Sequence, residues 1–255
     1  MSRVWFVARR EWLEQRRQPG MLAAILATFV VIDGLVVLAA VLLALVPIEG
    51  NLLLGPSGAD PAAMVHWLAG LVVDAHAFLN FSQLIGLCAV NAGHSVLHDR
   101  QTGAITFLLL APLRRIELLG GKLMGAVAPP LAAGMACNAV AATALALVGA
   151  TASAGAGRLP PSPGWFVAWA LAGPAWCAFI AAICTVISAL ARDVRTAQQA
   201  VWFLLLFATI LGGSLVTSQV GNGVGAVLAV AAVGALGAAV TLWVGAQLLS
   251  RDLSR

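Results

Sequence analysis

The chain has 255 residues, 61% hydrophobic and only 9% charged, with a formal net charge of +4, and its mean hydropathy is +0.97. A soluble domain of that length needs far more polar surface, so the composition places the chain in a membrane. The basic surplus does not describe a nucleic-acid surface, because no basic face with base-reading groups accompanies it.

Residues 2–18 are charged but carry Trp5 and Trp12, seven apart, as are Phe6 and Leu13. One helical side is therefore aromatic and apolar, although Arg9 and Arg16 fall on it too, their stems long enough to reach headgroups. The spacing predicts an interfacial helix on the inner leaflet, separated by Pro19-Gly20 from the first long apolar run. Such apolar runs cover 21–46, 66–93, 123–149, 165–190, 197–217 and 225–249. Each reaches the ~20 residues that carry a helix across the hydrocarbon. Helices satisfy their own backbone polar groups there, and long Ala/Leu/Val runs with weak alternation argue against a β-barrel. The expected fold is a single all-α integral membrane domain of six transmembrane helices. The first run is too long for a signal-peptide core, so no cleavage is expected. The connections 47–61, 151–164 and 218–225 are rich in Gly, Pro and Ser and read as turns.

Basic residues give the orientation. Of the 14 Lys and Arg, only Arg158 falls on one side of a six-span arrangement. The rest, from Arg3 through Lys122 to Arg255, fall on the other. The positive-inside rule places that side, with both termini, in the cytoplasm. An odd number of spans would scatter the same charges over both sides. The expected location is a bacterial-type inner membrane, crossed several times.

Two polar features interrupt the spans. Asp33 lies in the middle of the first, about 18 Å from its inner boundary at ~1.5 Å per residue. On the second, His76, Asn80, Gln83, Asn91, His94 and His98 fall within about 80° of one another at ~100° per residue. Polar groups are costly in hydrocarbon, so this face turns toward protein or water. Asn80 and Gln83 lie at the depth of Asp33, where no Lys or Arg does, so Asp33 is expected to be protonated or hydrogen-bonded to that polar face. Two readings stand for Asp33, His76, Asn80, Gln83 and Asn91: they line a translocation path, or they pack helices together through hydrogen bonds. Cys88, Cys137, Cys177 and Cys184 all lie in spans without a CxxC, and read as small buried hydrophobes.

The stretch from His94 to Lys122 is the most polar interior segment. His94 and His98 share a helical face, as zinc ligands do, but Ser95 stands where HExxH has its glutamate and no third ligand is near. No metal site is expected. No GxxxxGK[ST] occurs, so the chain does not hydrolyse ATP by itself. Between Arg100 and Lys122 lies the nonamer "AITFLLLAP", too short to span and on the cytoplasmic side. An apolar patch there is expected to be a short helix docking on a soluble partner. Gly103 permits the turn into it and Pro112 ends it.

These residues resemble the signature of ABC-2 type transporter permeases, the transmembrane subunits of type V ABC exporters. That signature runs Glu-Arg-x-x-Gly-Thr-Leu, Leu-Leu, Pro-x-x-Arg-x-Glu, Gly-Lys. Here it reads Asp99-Arg100-Gln101-Thr102-Gly103-Ala104-Ile105, Leu108-Leu109, Pro112, Arg115, Glu117, Gly121-Lys122. Asp99 and Ala104 are the departures, and the loop after the fifth run is shorter than the re-entrant segment of many members. The resemblance implies an elbow helix at 2–18 and a coupling-helix loop at 99–113, with residues 101–111 receiving the stroke of an ATPase. It makes Asp99, Arg100, Gly103, Phe107, Leu109, Pro112, Arg115, Glu117 and Lys122 the coupling and docking set. It implies a non-catalytic permease subunit with no cofactor of its own. Its partners would be two copies of a separate ABC ATPase carrying ATP and Mg, a second permease subunit, and lipid. The alternative is an ATPase-linked membrane module for metallocentre maturation or signalling without bulk transport.

Overall fold

The computed structural model describes residues 3–16, 19–45, 61–104, 108, 113–151, 163–191, 193–220 and 223–252. Among them the regular secondary structure is helical throughout. A short α1 (Arg3–Arg16) precedes α2 (Pro19–Leu45), which starts on a proline that has no amide hydrogen to leave unpaired. α3 (Pro61–Gln101) has 41 residues, about 60 Å of helix, twice what the ~30 Å hydrocarbon requires. It continues past the predicted 66–93 run and stops where Gly103 adopts a φ of +71°, as a C-terminal glycine should.

α4 (Arg115–Thr151) comes next, and it holds Pro129 and Pro130 in its interior. α5 (Pro163–Val167) runs into a π-helical turn at Ala168–Ala172 and then into α6 (Gly173–Leu190). Pro174 lacks the amide that would continue regular α bonding, and the Gly173 amide reaches five residues back to the Ala168 carbonyl. The chain ends with α7 (Val194–Val220) and α8 (Val224–Asp252). Asp193 caps α7: its carboxylate accepts the Thr196 amide and hydroxyl, both at 2.7 Å, and these bonds hold its carboxyl below the ordinary range.

α3 is the central post. It packs on α6, α7, α4 and α2, while α6 packs on α8 and α1 lies along α4. The core between them is apolar, with Phe29, Phe81, Leu84 and Ile85 buried. The outside is apolar as well: Val30 and Leu35 of α2, Phe203 of α7 and Leu236 of α8 are each about 60% exposed or more. Such an inside-and-outside distribution suits lipid contact and would not survive in water.

Four stretches of described residues are long and apolar enough to cross a membrane: Ala23–Leu42, Arg115–Leu147, Gly164–Leu190 and Val224–Leu249. The chain is thus an all-helical, multi-pass membrane protein. Of the six predicted runs, those at 66–93 and 197–217 fall on α3 and α7, whose 41 and 27 residues have the length to cross.

Candidate functional site

Among the described residues, two polar clusters interrupt this apolar bundle. The first sits where α1, the end of α3 and the start of α4 meet. Lys122 of α4 is 3% exposed, and its ammonium lies 2.7 Å from Glu11 Oε1 and 2.5 Å from Asp99 Oδ2. Arg10 reaches Asp99 Oδ1 at 3.2 Å, and the Ser95 hydroxyl donates to Glu11 Oε2 at 2.6 Å. Two buried carboxylates thus face one buried ammonium and one half-buried guanidinium, which is what burial of charge demands. His98 of α3 lies 3.6 Å from Glu14, and its ring is parallel to that of His94. Glu11, Glu14 and Asp99 converge closely enough to ligate a cation, but Lys122 and Arg10 already supply positive charge to them.

The approach of α1 to α4 explains why this corner closes. Gly121 and Gly125 lie one turn apart on the face that α1 covers. A methyl group on Gly121 would overlap Val7 and the Val4 carbonyl, and one on Gly125 would overlap Glu11. Small residues at this spacing let two helix backbones touch. Further along, Pro129 and Pro130 have no amide hydrogen for the carbonyls four residues earlier, those of Gly125 and Ala126. Both carbonyls receive side-chain donors instead. Gln15 of α1 donates to Gly125 O at 3.2 Å, and Asn91 of α3 donates to Ala126 O at 2.6 Å. Neighbouring helices therefore repair the two bonds that the proline pair breaks.

The second cluster lies deeper, between α2, α3, α4 and α5. Asp33 Oδ1 accepts the Asn80 carboxamide at 2.8 Å and lies 3.0 Å from His76 Nε2. Asn80 also donates to the His76 carbonyl, and Asn138 of α4 approaches Asn80 Oδ1 at 3.5 Å. The Trp165 ring stacks on His76 with centroids 6.1 Å apart. Gln83 is half-buried, and neither end of its carboxamide has a hydrogen-bond partner among the described residues.

Residues 5–231 match the family described as ABC-2 family transporter protein. The chain belongs to the ABC-2 transporter family. No curated protein matches the sequence at a significant level.

Within this ABC-2 protein the signature residues separate by environment. Asp99 and Lys122 are buried in the charged corner, turned inward against α1. Glu117 accepts the Arg114 amide at 2.8 Å, the return bond of a helix cap at the start of α4. Arg115 is half-buried and donates to the Leu249 carbonyl near the end of α8. Gly103 takes a φ of +71° just past the end of α3. Arg100 lies on the last turn of α3, and its side chain, with Phe107, Leu109 and Pro112, lies outside the described residues.

The polar stripe of α3 divides in the same way. His76 and Asn80 meet Asp33, Asn91 meets α4, and His94 is exposed. All four cysteines are free thiols, buried or half-buried. Glu11, Gln15 and the Gly121/Gly125 pair were not among the residues expected from the sequence. The glycine spacing and the Pro129-Pro130 pair were the signals available for finding this corner.

Proposed function

We propose that this ABC-2 family chain is the membrane-spanning permease subunit of an ATP-driven exporter. In this reading α3 and α7 complete a set of six spans, and both termini face the cytoplasm. Two copies of a separate ABC ATPase dock on the segment 101–111 and supply the ATP and Mg. A second permease subunit forms the substrate path with this one at the dimer interface. The ATPase stroke enters at 101–111, and its differential contacts in the ATP-bound state shift the bundle between inward and outward openings.

One observation carries the reading: the end of α3 that leads into 101–111 is tied to α1 and α4 through Asp99, Lys122 and Glu11. A buried, charge-paired corner resists deformation, so force applied beside it moves three helices together. Asp99 and Lys122 then transmit the stroke from behind the docking surface.

Purification in mild detergent is expected to retain a Walker-type ATPase, and Arg100→Glu is expected to release most of it while the permease elutes unchanged in size. Full retention on the Arg100→Glu chain would overturn the docking assignment.

A further inference from the structure

The deep cluster has an unusual charge balance. Asp33 stands midway along the 27 residues of α2 and is 6% exposed, while His76 and Asn80 are fully buried. The groups facing Asp33 and His76 can be named element by element. From α3 come Asn80 and, one turn further along, Gln83. From α4 come Asn138 and, next to it in the chain, the Cys137 thiol, and from α5 comes the Trp165 ring. The side chain of Asp74 lies outside the described residues. Among the described residues no Lys or Arg pairs with Asp33. The carboxamides and the indole are neutral, so among the described residues His76 is the one base in contact with the acid.

A lone carboxylate or a lone imidazolium at this depth is strongly disfavoured. The pair is electroneutral only when it holds one proton, on the Asp33 carboxyl or on the His76 ring. The 3.0 Å line between Asp33 Oδ1 and His76 Nε2 lets the proton move between them without changing the net charge. Asp33 Oδ2 and His76 Nδ1 are buried and have no partner among the described residues, so each is open to a proton or to entering water.

We propose that Asp33 and His76 form an intramembrane proton-binding site that holds one proton between them at neutral pH. Loss of that proton to water as hydronium leaves a carboxylate and a neutral imidazole. The resulting charge of −1 is tolerable only when water reaches the cluster. Proton release and uptake are therefore tied to any opening of the bundle between α2, α3 and α4, and the pair can couple a proton to the transport cycle. That last step rests on the permease reading; the proton site itself does not.

The test uses the full chain in lipid nanodiscs at neutral pH, with no ATPase present, so failure of the docking assignment leaves it intact. Infrared spectroscopy reads the carboxyl group, and nitrogen NMR of labelled histidine reads the ring. His76→Gln assigns the ring signal and, with a Gln that still donates to Asp33, keeps the fold testable if Asp33→Asn is unstable. The expected result is either a carboxylic-acid band lost in Asp33→Asn, or a His76 imidazolium that becomes neutral in Asp33→Asn. An ionised Asp33 beside a neutral His76 in the wild-type chain would overturn the proposal. So would a carboxyl or ring signal that shifts when sodium replaces potassium at constant pH, because the site would then take a metal cation.

Discussion

The two polar clusters solve one problem in opposite ways. Each brings a carboxylate from an earlier helix against α3 and α4, Glu11 from α1 in one and Asp33 from α2 in the other. In the corner, Glu11 and Asp99 are matched by the Lys122 ammonium and the Arg10 guanidinium. In the deep cluster Asp33 is matched by His76 and carboxamides. The fixed ion pairs sit where α1, the last turn of α3 and the first turns of α4 meet. A group that can neutralise itself belongs in the interior, where a permanent charge costs most. The corner is built to stay closed, and the deep cluster is built to change state.

The contrast breaks most sharply at Lys122. Lys122→Met leaves Glu11 and Asp99 buried without their ammonium, an expected loss of about 3–5 kcal/mol. It should appear as a lowered unfolding temperature and as faster tryptic cleavage within the Arg-rich α1. The combined Glu11→Gln, Asp99→Asn and Lys122→Met chain should recover most of that loss, because no buried charge remains unpaired and the half-buried Arg10 keeps Glu14. If the single change is silent, the corner is not a fixed ion-pair device.

A smaller effect is expected from crowding alone. Gly125→Ala places a methyl group against Glu11, and the shift it forces on α1 should cost about 2–3 kcal/mol. Spin labels on α1 and α4 should report a wider separation of the two helices. An unchanged distance would mean that the charges hold α1 without the close glycine contact.

The smallest effect tests the proline repair. Asn91→Ala strands the Ala126 carbonyl and should cost about 1–2 kcal/mol in unfolding free energy. In a Pro130→Ala background the helix supplies its own amide to that carbonyl, so the same change should cost clearly less. Equal costs in both backgrounds would show that Asn91 acts elsewhere.

Much of this was legible in one dimension. Apolar runs located the helices because lipid contact requires length and composition, and both are written along the chain. The spacing of His76, Asn80 and Asn91 placed them on one face because an α-helix has a fixed period. Gly103 was expected to permit a turn, and it takes a positive φ just past the end of α3, a conformation few other residues adopt readily. Asp33 was expected to be protonated or hydrogen-bonded to the polar face, and the structure shows its hydrogen bonds to that face. Asp99 and Lys122 read differently in one dimension: they looked like the rim of a docking loop, and the fold turns them inward.

Composition and periodicity alone determined that this protein is a bundle of membrane-length helices with a polar face on α3, because the solvent and the helix period act on each segment separately. Only the tertiary structure decided which charges became partners. The Glu11–Lys122 pair joins residues 111 apart in sequence, and no local rule connects them. They meet because Gly121 and Gly125 let α1 come close enough for a buried ammonium to be shared.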